Sequence, residues 1–109
     1  MANNATVIDL PRLKAMADCW RNKFSATRVL LFGSAARDDA TEHSDIDLLI
    51  ITPTKEKFYE RMGSALAVVR DMSIGLPLSL LVLTPDELSA RLIHGDQFIQ
   101  EIIETGVEL

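Results

Sequence analysis

The sequence predicts an α/β chain of the α+β kind, a small mixed β-sheet packed with helices. Thr27 to Phe32, Asp45 to Thr52 and Leu78 to Leu83 are short apolar runs of strand length. Stretches with apolar residues at helical spacing lie before, between and after them. The first two runs follow one another directly, whereas a helix-length segment separates the second from the third. The order α-β-β-α-β-α-α therefore calls for a mixed sheet with one helical crossover.

Each element has a local reason. Asp9 ahead of Pro11 reads as a cap followed by a first-turn proline. Leu13, Met16, Ala17 and Trp20 then recur on one helix face, so the first helix should run to about Phe24. Gly33-Ser34 breaks the first strand. In the second, Leu48-Leu49-Ile50-Ile51 is a run expected to be buried on both faces, and Pro53 ends it. Lys55 to about Met72 should be a helix with Phe58, Met62, Leu66 and Val69 on its inner side. Gly75 and Pro77 punctuate before the third strand. "TPDEL" is a strong helix start, with Thr84 as cap, Pro85 in the first turn, and Asp86 and Glu87 near the positive end of the helix dipole. That helix should reach about Ile93, with a break at His94-Gly95-Asp96. Phe98, Ile99, Ile102 and Ile103 mark a last helix stopped at Gly106. Val107-Glu108-Leu109 is too short to assign by pattern.

The chain has 109 residues, which suits a single domain spanning 1–109, and it contains no repeat, low-complexity tract or linker. No apolar run approaches the ~20 residues that cross a bilayer. The start lacks a basic segment followed by an apolar core, so no signal peptide is expected. Cys19 is the sole cysteine and reads as core filler; an internal disulfide is excluded, and a cytoplasmic location fits. The net charge of -5 disfavours a long nucleic acid as partner. A small nucleotide escorted by a divalent metal stays open, because the metal reverses the local charge.

The chemistry concentrates in "LFGSAARDDATEHSDIDLLI". Asp45 and Asp47 are two apart, which on a strand puts both carboxylates on one face. They repel unless a cation lies between them, and hard oxygen ligands suit Mg2+ or Mn2+. For an isolated D-x-D a plain polar turn is the better reading; within this stretch the metal site prevails. Gly33 opens the backbone to a ligand, and Ser34 can offer a hydroxyl and an N–H to a phosphate. Arg37 can pair with a phosphate, orient the carboxylates, or pair at the surface with Asp38 or Asp39. His43 reads as an exposed loop histidine and His94 as a helix-end cap; two lone histidines make no zinc pattern.

Gly33-Ser34, ten residues, then Asp45-Ile46-Asp47 resembles the signature of the DNA polymerase beta-like nucleotidyltransferase superfamily, and more narrowly its minimal prokaryotic members. "PLSLLVLTPDEL" matches a strand-turn-helix in the expected place, and "HGDQFIQEIIETGVEL" the terminal helix and short last strand. The resemblance covers most of the chain from about Thr27. It implies the polymerase beta-like fold, with Asp45 and Asp47 as metal ligands and Gly33 and Ser34 holding the phosphates of ATP. Two metals in such a site stabilise the attacking and leaving oxygens of an in-line displacement.

Two positions depart from that pattern. Where the family has a third carboxylate, on the third strand, this chain has Ser79, and no Asp or Glu lies from Ile74 to Thr84. Asp71, Asp86 and Glu87 are the nearest substitutes along the chain. Asp38 stands where the family often has Gly. The resemblance implies nucleotidyl transfer, specifically AMP from ATP to a hydroxyl. Many minimal members are antitoxins that modify a tyrosine of a helical HEPN-type toxin, which makes such a protein the expected partner, with Phe98 and Ile102 as possible contact points if they are not core. The alternative is a catalytically weakened nucleotide-binding or steric subunit of such a pair, in keeping with Ser79. An aminoglycoside-modifying role would need a second domain to enclose its substrate.

Overall fold

The computed structural model describes residues 9–37 and 45–109. Asp38, Asp39, Glu42, His43 and Ser44 lie outside the described residues.

The first helix, α1 (Leu10–Lys23), starts where the Asp9 carboxylate accepts from Arg12 N at 3.1 Å. It buries Leu13, Met16, Ala17 and Trp20. Strand β1 (Arg28–Phe32) ends in a 3-10 turn, Gly33–Ala35. Strand β2 (Ile46–Ile51) leads to α2 (Phe58–Val68), a second 3-10 turn (Arg70–Met72) and β3 (Leu78–Leu83). Helices α3 (Pro85–Ile93) and α4 (Gln97–Thr105) follow, and β4 (Val107–Glu108) closes the order.

The strands form one mixed sheet in the order β3-β2-β1-β4. β1 is antiparallel to both β2 and β4, and β2 is parallel to β3 across the α2 crossover. Side-chain alternation divides the core into two layers. Val29, Leu31, Leu48, Ile50, Leu80 and Val82 face α1 and α2. Leu30, Leu49, Ile51 and Leu83 face the other way, against Ile99 and Ile102 of α4. Leu48 to Ile51 are all buried, as a central strand covered on both sides requires. This is the small mixed sheet with helices expected of a polymerase beta-like fold, including the short last strand. Cys19 is partly buried against the core, its thiol 3.5 Å from the Met72 sulfur.

Two expectations, the bounds and the inner face of the second helix, need correction. Helix α2 begins at Phe58 rather than Lys55. Thr54 first ties off a local turn by accepting from Glu56 N (3.0 Å), and Glu60 accepts from Lys57 N (3.0 Å) at the true start. At its far end the helix tightens into the 3-10 turn instead of running on to Met72. Its inner face is also rotated. Arg61, Ala65 and Val69 are buried, while Phe58 and Met62 are 53% and 47% exposed. Small Ala65 lets α1 approach, so that Trp20 Nε1 donates to the Ala65 carbonyl at 2.9 Å. Helix α4 stops at Gly106 as expected, and the backbone there is not left-handed. A Cβ there would lie 2.5 Å from the Ile102 carbonyl oxygen and 3.2 Å from that of Leu31, so only glycine fits between α4 and β1.

Arg61 explains the rotation. It donates to the Glu56 and Val82 carbonyls and makes a two-point pair with Glu87 (2.6 and 3.1 Å). Glu87 also accepts from Thr84 N (2.9 Å), while Thr84 Oγ1 accepts from Glu87 N (3.1 Å), a capping box on α3. The pair therefore joins α2 on one face of the sheet to α3 on the other. Arg61→Ala should cost roughly 3 kcal/mol, the low end for breaking a buried pair, because Glu87 keeps contact with water. The Arg61 guanidinium holds the Glu87 carboxyl below its ordinary value of 4.5. A lowered folded-state value gives stability that is complete above the unfolded-state value and is lost as pH falls through the folded one. Urea unfolding should therefore show a constant gap between wild type and Glu87→Gln near neutrality, closing as pH drops below 4.5. A gap independent of pH would remove the charge from this account.

Candidate active site

The site grows from one row across the sheet. Phe32 of β1 pairs with Asp47 of β2, and Asp47 pairs with Ser79 of β3. Alternation puts all three on the face that α4 covers only in part. Asp45 sits one residue ahead of β2 and is exposed.

Immediately after Phe32 the chain turns. Gly33 has φ +74, and the Ala36 and Arg37 N–H groups both donate to its carbonyl, at 3.1 and 3.2 Å. A side chain at Gly33 would overlap Asp47 Oδ2 and lie 3.3 Å from its Cγ. Glycine is thus required twice, by the backbone conformation and by the carboxylate against it. The turn places Ser34 in its middle and Arg37 at its end, beside Asp47.

Asp47 is half-buried, and its carboxyl is pushed above the ordinary value of 3.8. Burial is the main cause and the charge of Asp45 the next; the neighbouring Ser79 hydroxyl and Arg37 oppose the shift. The carboxylate is held where its charge is incompletely compensated, a state a cation relieves. The donor set of carboxylate and hydroxyl oxygens fits Mg2+ or Mn2+.

A cleft of about 430 Å³ opens at this place. Phe32, Gly33, Arg37 and Asp47 line it on the sheet side. Phe98, Glu101, Ile102 and Thr105 line it on the α4 side. Ser34, Asp45 and Ser79 flank Asp47 or its turn but do not line the cleft. The α4 wall is what sequence reasoning missed. Phe98, expected as core or as a possible partner contact, is 55% exposed and faces the cleft, so it is not core, whereas Ile102 is. A signal existed: positions 98, 101, 102 and 105 share one helix face, and that face mixes a carboxylate and a hydroxyl with apolar groups.

None of the substitute carboxylates joins Asp45 and Asp47. Among the described residues, no group of three or more His, Cys, Asp and Glu could hold a metal. Glu87 is committed to Arg61, and Thr84 to Asp86 lie past the far end of β3, on the order of 16 Å from Ser79 at strand rise. His94 is the C-cap of α3, its Nδ1 2.7 Å from the Ala90 carbonyl, as expected.

The nucleotidyltransferase domain model matches residues 13–106. The chain belongs to that family. No curated protein matches it significantly. Membership brings the general activity, transfer of a nucleotidyl group, in a family that generally uses a nucleoside triphosphate and a divalent metal. Among the described residues, no helix is long and apolar enough to cross a membrane.

Gly33→Ala tests the turn, with Gly75→Ala as its control. Both glycines have left-handed backbones, φ +74 and +79, but nothing lies within 4 Å of a Cβ at Gly75. Gly75→Ala should cost only the ~1–2 kcal/mol of the backbone conformation. Gly33→Ala should cost more, because the Asp47 carboxylate must also move. Equal losses in urea unfolding would show that the close contact carries no energy.

Proposed function

We propose that this nucleotidyltransferase-family chain binds ATP with Mg2+ or Mn2+ where the Gly33 turn meets Asp47 and transfers AMP to a hydroxyl, on a helical HEPN-type toxin for which it serves as antitoxin. The observation that carries the reading is the Gly33 backbone packed against the Asp47 carboxylate, with Arg37 at the end of the same turn.

Each residue has a task of its own. Gly33 lets the turn close onto the Asp47 carboxylate. Ser34 offers a hydroxyl and an N–H to phosphate oxygens, and Arg37 adds a fixed positive charge beside them. Asp45 and Asp47 would hold the metal, which when bound supplies charge neutralisation for the triphosphate and for the attacking and leaving oxygens. The acceptor hydroxyl oxygen bonds to the α-phosphorus and its proton passes to solvent, the bond from that phosphorus to the oxygen bridging to the β-phosphate breaks, and pyrophosphate leaves. Positioning and charge compensation are most of what such a transfer needs.

Ser79 favours a second reading. It stands in register beside Asp47, in the place where the superfamily pattern has its third carboxylate, and contributes a neutral hydroxyl. A hydroxyl is a weaker ligand and no base. The chain would then keep the nucleotide but transfer slowly, acting chiefly as the binding or steric half of the pair.

The metal site common to both readings is tested by binding, and the choice between them by transfer. Titration with ATP should show binding that needs Mg2+ or Mn2+ and is lost in the double variant Asp45→Asn, Asp47→Asn; identical isotherms for both proteins with and without metal would refute the metal site. Transfer of labelled AMP to a co-expressed helical partner should rise about 10²–10⁴-fold in Ser79→Asp, the usual contribution of positioned proton transfer. A fast wild type with no gain in Ser79→Asp would favour the fully active enzyme over the weakened subunit. Size-exclusion chromatography of the co-expressed pair tests the partner itself, since separate elution at micromolar concentration argues against an obligate complex.

A further inference from the structure

We propose that Phe98 is the platform on which the base of the nucleotide stacks, with the triphosphate held at the Gly33–Asp47 end of the cleft. The inference rests on the nucleotide reading above and adds to it the residue that recognises the base.

Helix α4 docks on the sheet through Ile99 and Ile102, which are buried. Phe98 takes no part in that burial and is 55% exposed. A single exposed aromatic needs no explanation on a convex surface. This one lines a concave cleft that also contains Asp47 and Arg37. Its ring is not loose. It meets Phe32 edge to face, with centroids 5.8 Å apart and planes at 80°. That geometry is favourable for an aromatic pair and orients the Phe98 ring while leaving much of it accessible.

Phe32 is next in sequence to Gly33 and paired with Asp47, so the aromatic pair adjoins the phosphate end directly. At about 430 Å³ the cleft falls within the ~300–1,000 Å³ usual for small-ligand sites. The sheet side of the cleft carries Arg37 together with Asp47, the carboxylate that would hold the metal, whereas the residues lining the α4 side include no cation and one carboxylate, Glu101, one helical turn beyond Phe98. With no cation to meet phosphates there, the α4 end suits the uncharged part of a nucleotide. Aromatic rings stack on any base, because every base presents a π face, and the larger purines offer the greater area.

The test is calorimetric titration of the full chain with two probes, Mg-ATP and Mg-tripolyphosphate. Wild type should bind ATP more tightly than tripolyphosphate. Phe98→Ala should weaken ATP binding by about 5- to 150-fold, the range for losing one base–aromatic stack, and leave tripolyphosphate unchanged. Phe98→Tyr should behave as wild type. Phe98→Leu keeps an apolar side chain against Phe32 without a π face, and should lose ATP affinity while melting normally. Equal weakening of both probes, or none, overturns the inference. So does a wild type that binds both probes equally, an outcome that leaves the phosphate site standing. A wild type that binds neither removes the nucleotide reading and the base platform with it.

Discussion

The close packing of Asp47 against Gly33 is the constraint on which the site depends. The carboxylate occupies the space a side chain at Gly33 would need, and Gly33 carries a backbone conformation that favours glycine. β1 is antiparallel to β2, so the end of one lies beside the start of the other, and Phe32 is brought to Asp47 by register. The turn that follows then has to fold over the start of β2. β3 runs parallel on the other side and fixes Ser79 as the remaining neighbour. The surroundings of Asp47 are thus set by strand pairing, with the 3-10 turn adding Arg37.

The sheet can leave this end of one face open because its other regions are covered. α1 and α2 cover one face, and α4 covers the other only around Leu30, Leu49 and Ile51. The cleft is the gap between the edge of that cover and the row Phe32–Asp47. Arg61 and Glu87 secure the opposite end. By reaching from α2 past the Val82 carbonyl to the first turn of α3, they hold helices of both layers to the same strand. Structural and chemical demands are therefore placed at opposite ends of β3, and a carboxylate needed by one is out of reach of the other.

Most of the architecture was legible because its signals are local. Alternating and continuous apolar runs marked β1, β2 and β3; the Asp9 and Thr84 caps marked α1 and α3. The failures share a cause in tertiary context. Periodicity assigned Phe58 and Met62 inward because it ranks side chains by polarity. A buried arginine with three partners reverses that ranking, and no window of sequence shows the partners. The cleft was half legible for the same reason. Gly33, Ser34, Arg37, Asp45 and Asp47 lie within one motif, and their strand pairing follows from its length. Phe98 and Glu101 come more than fifty residues later and reach the site only because α4 folds back over β1. Two-residue β4 carries no pattern of its own; its place came from the resemblance to the superfamily and is fixed by pairing with Leu30 and Leu31.

Two carboxylates in this chain show how physical chemistry separates structural from functional groups. Glu87 is held below its ordinary value, chiefly by its hydrogen-bonded pair with Arg61, so ionisation supports the fold above the unfolded-state value. Asp47 moves the other way. Burial and the charge of Asp45 raise it, and a raised folded-state value means that ionisation near neutrality opposes folding; the cost is relieved only as pH falls through that value and a proton binds. Ser79 and Arg37 soften the cost without removing it. What remains is a standing preference for positive charge at the mouth of the sheet, next to a turn that offers backbone donors and a cleft with an aromatic wall. In a family whose members generally use a nucleoside triphosphate and a divalent metal, a cation would be the ligand suited to such a carboxylate.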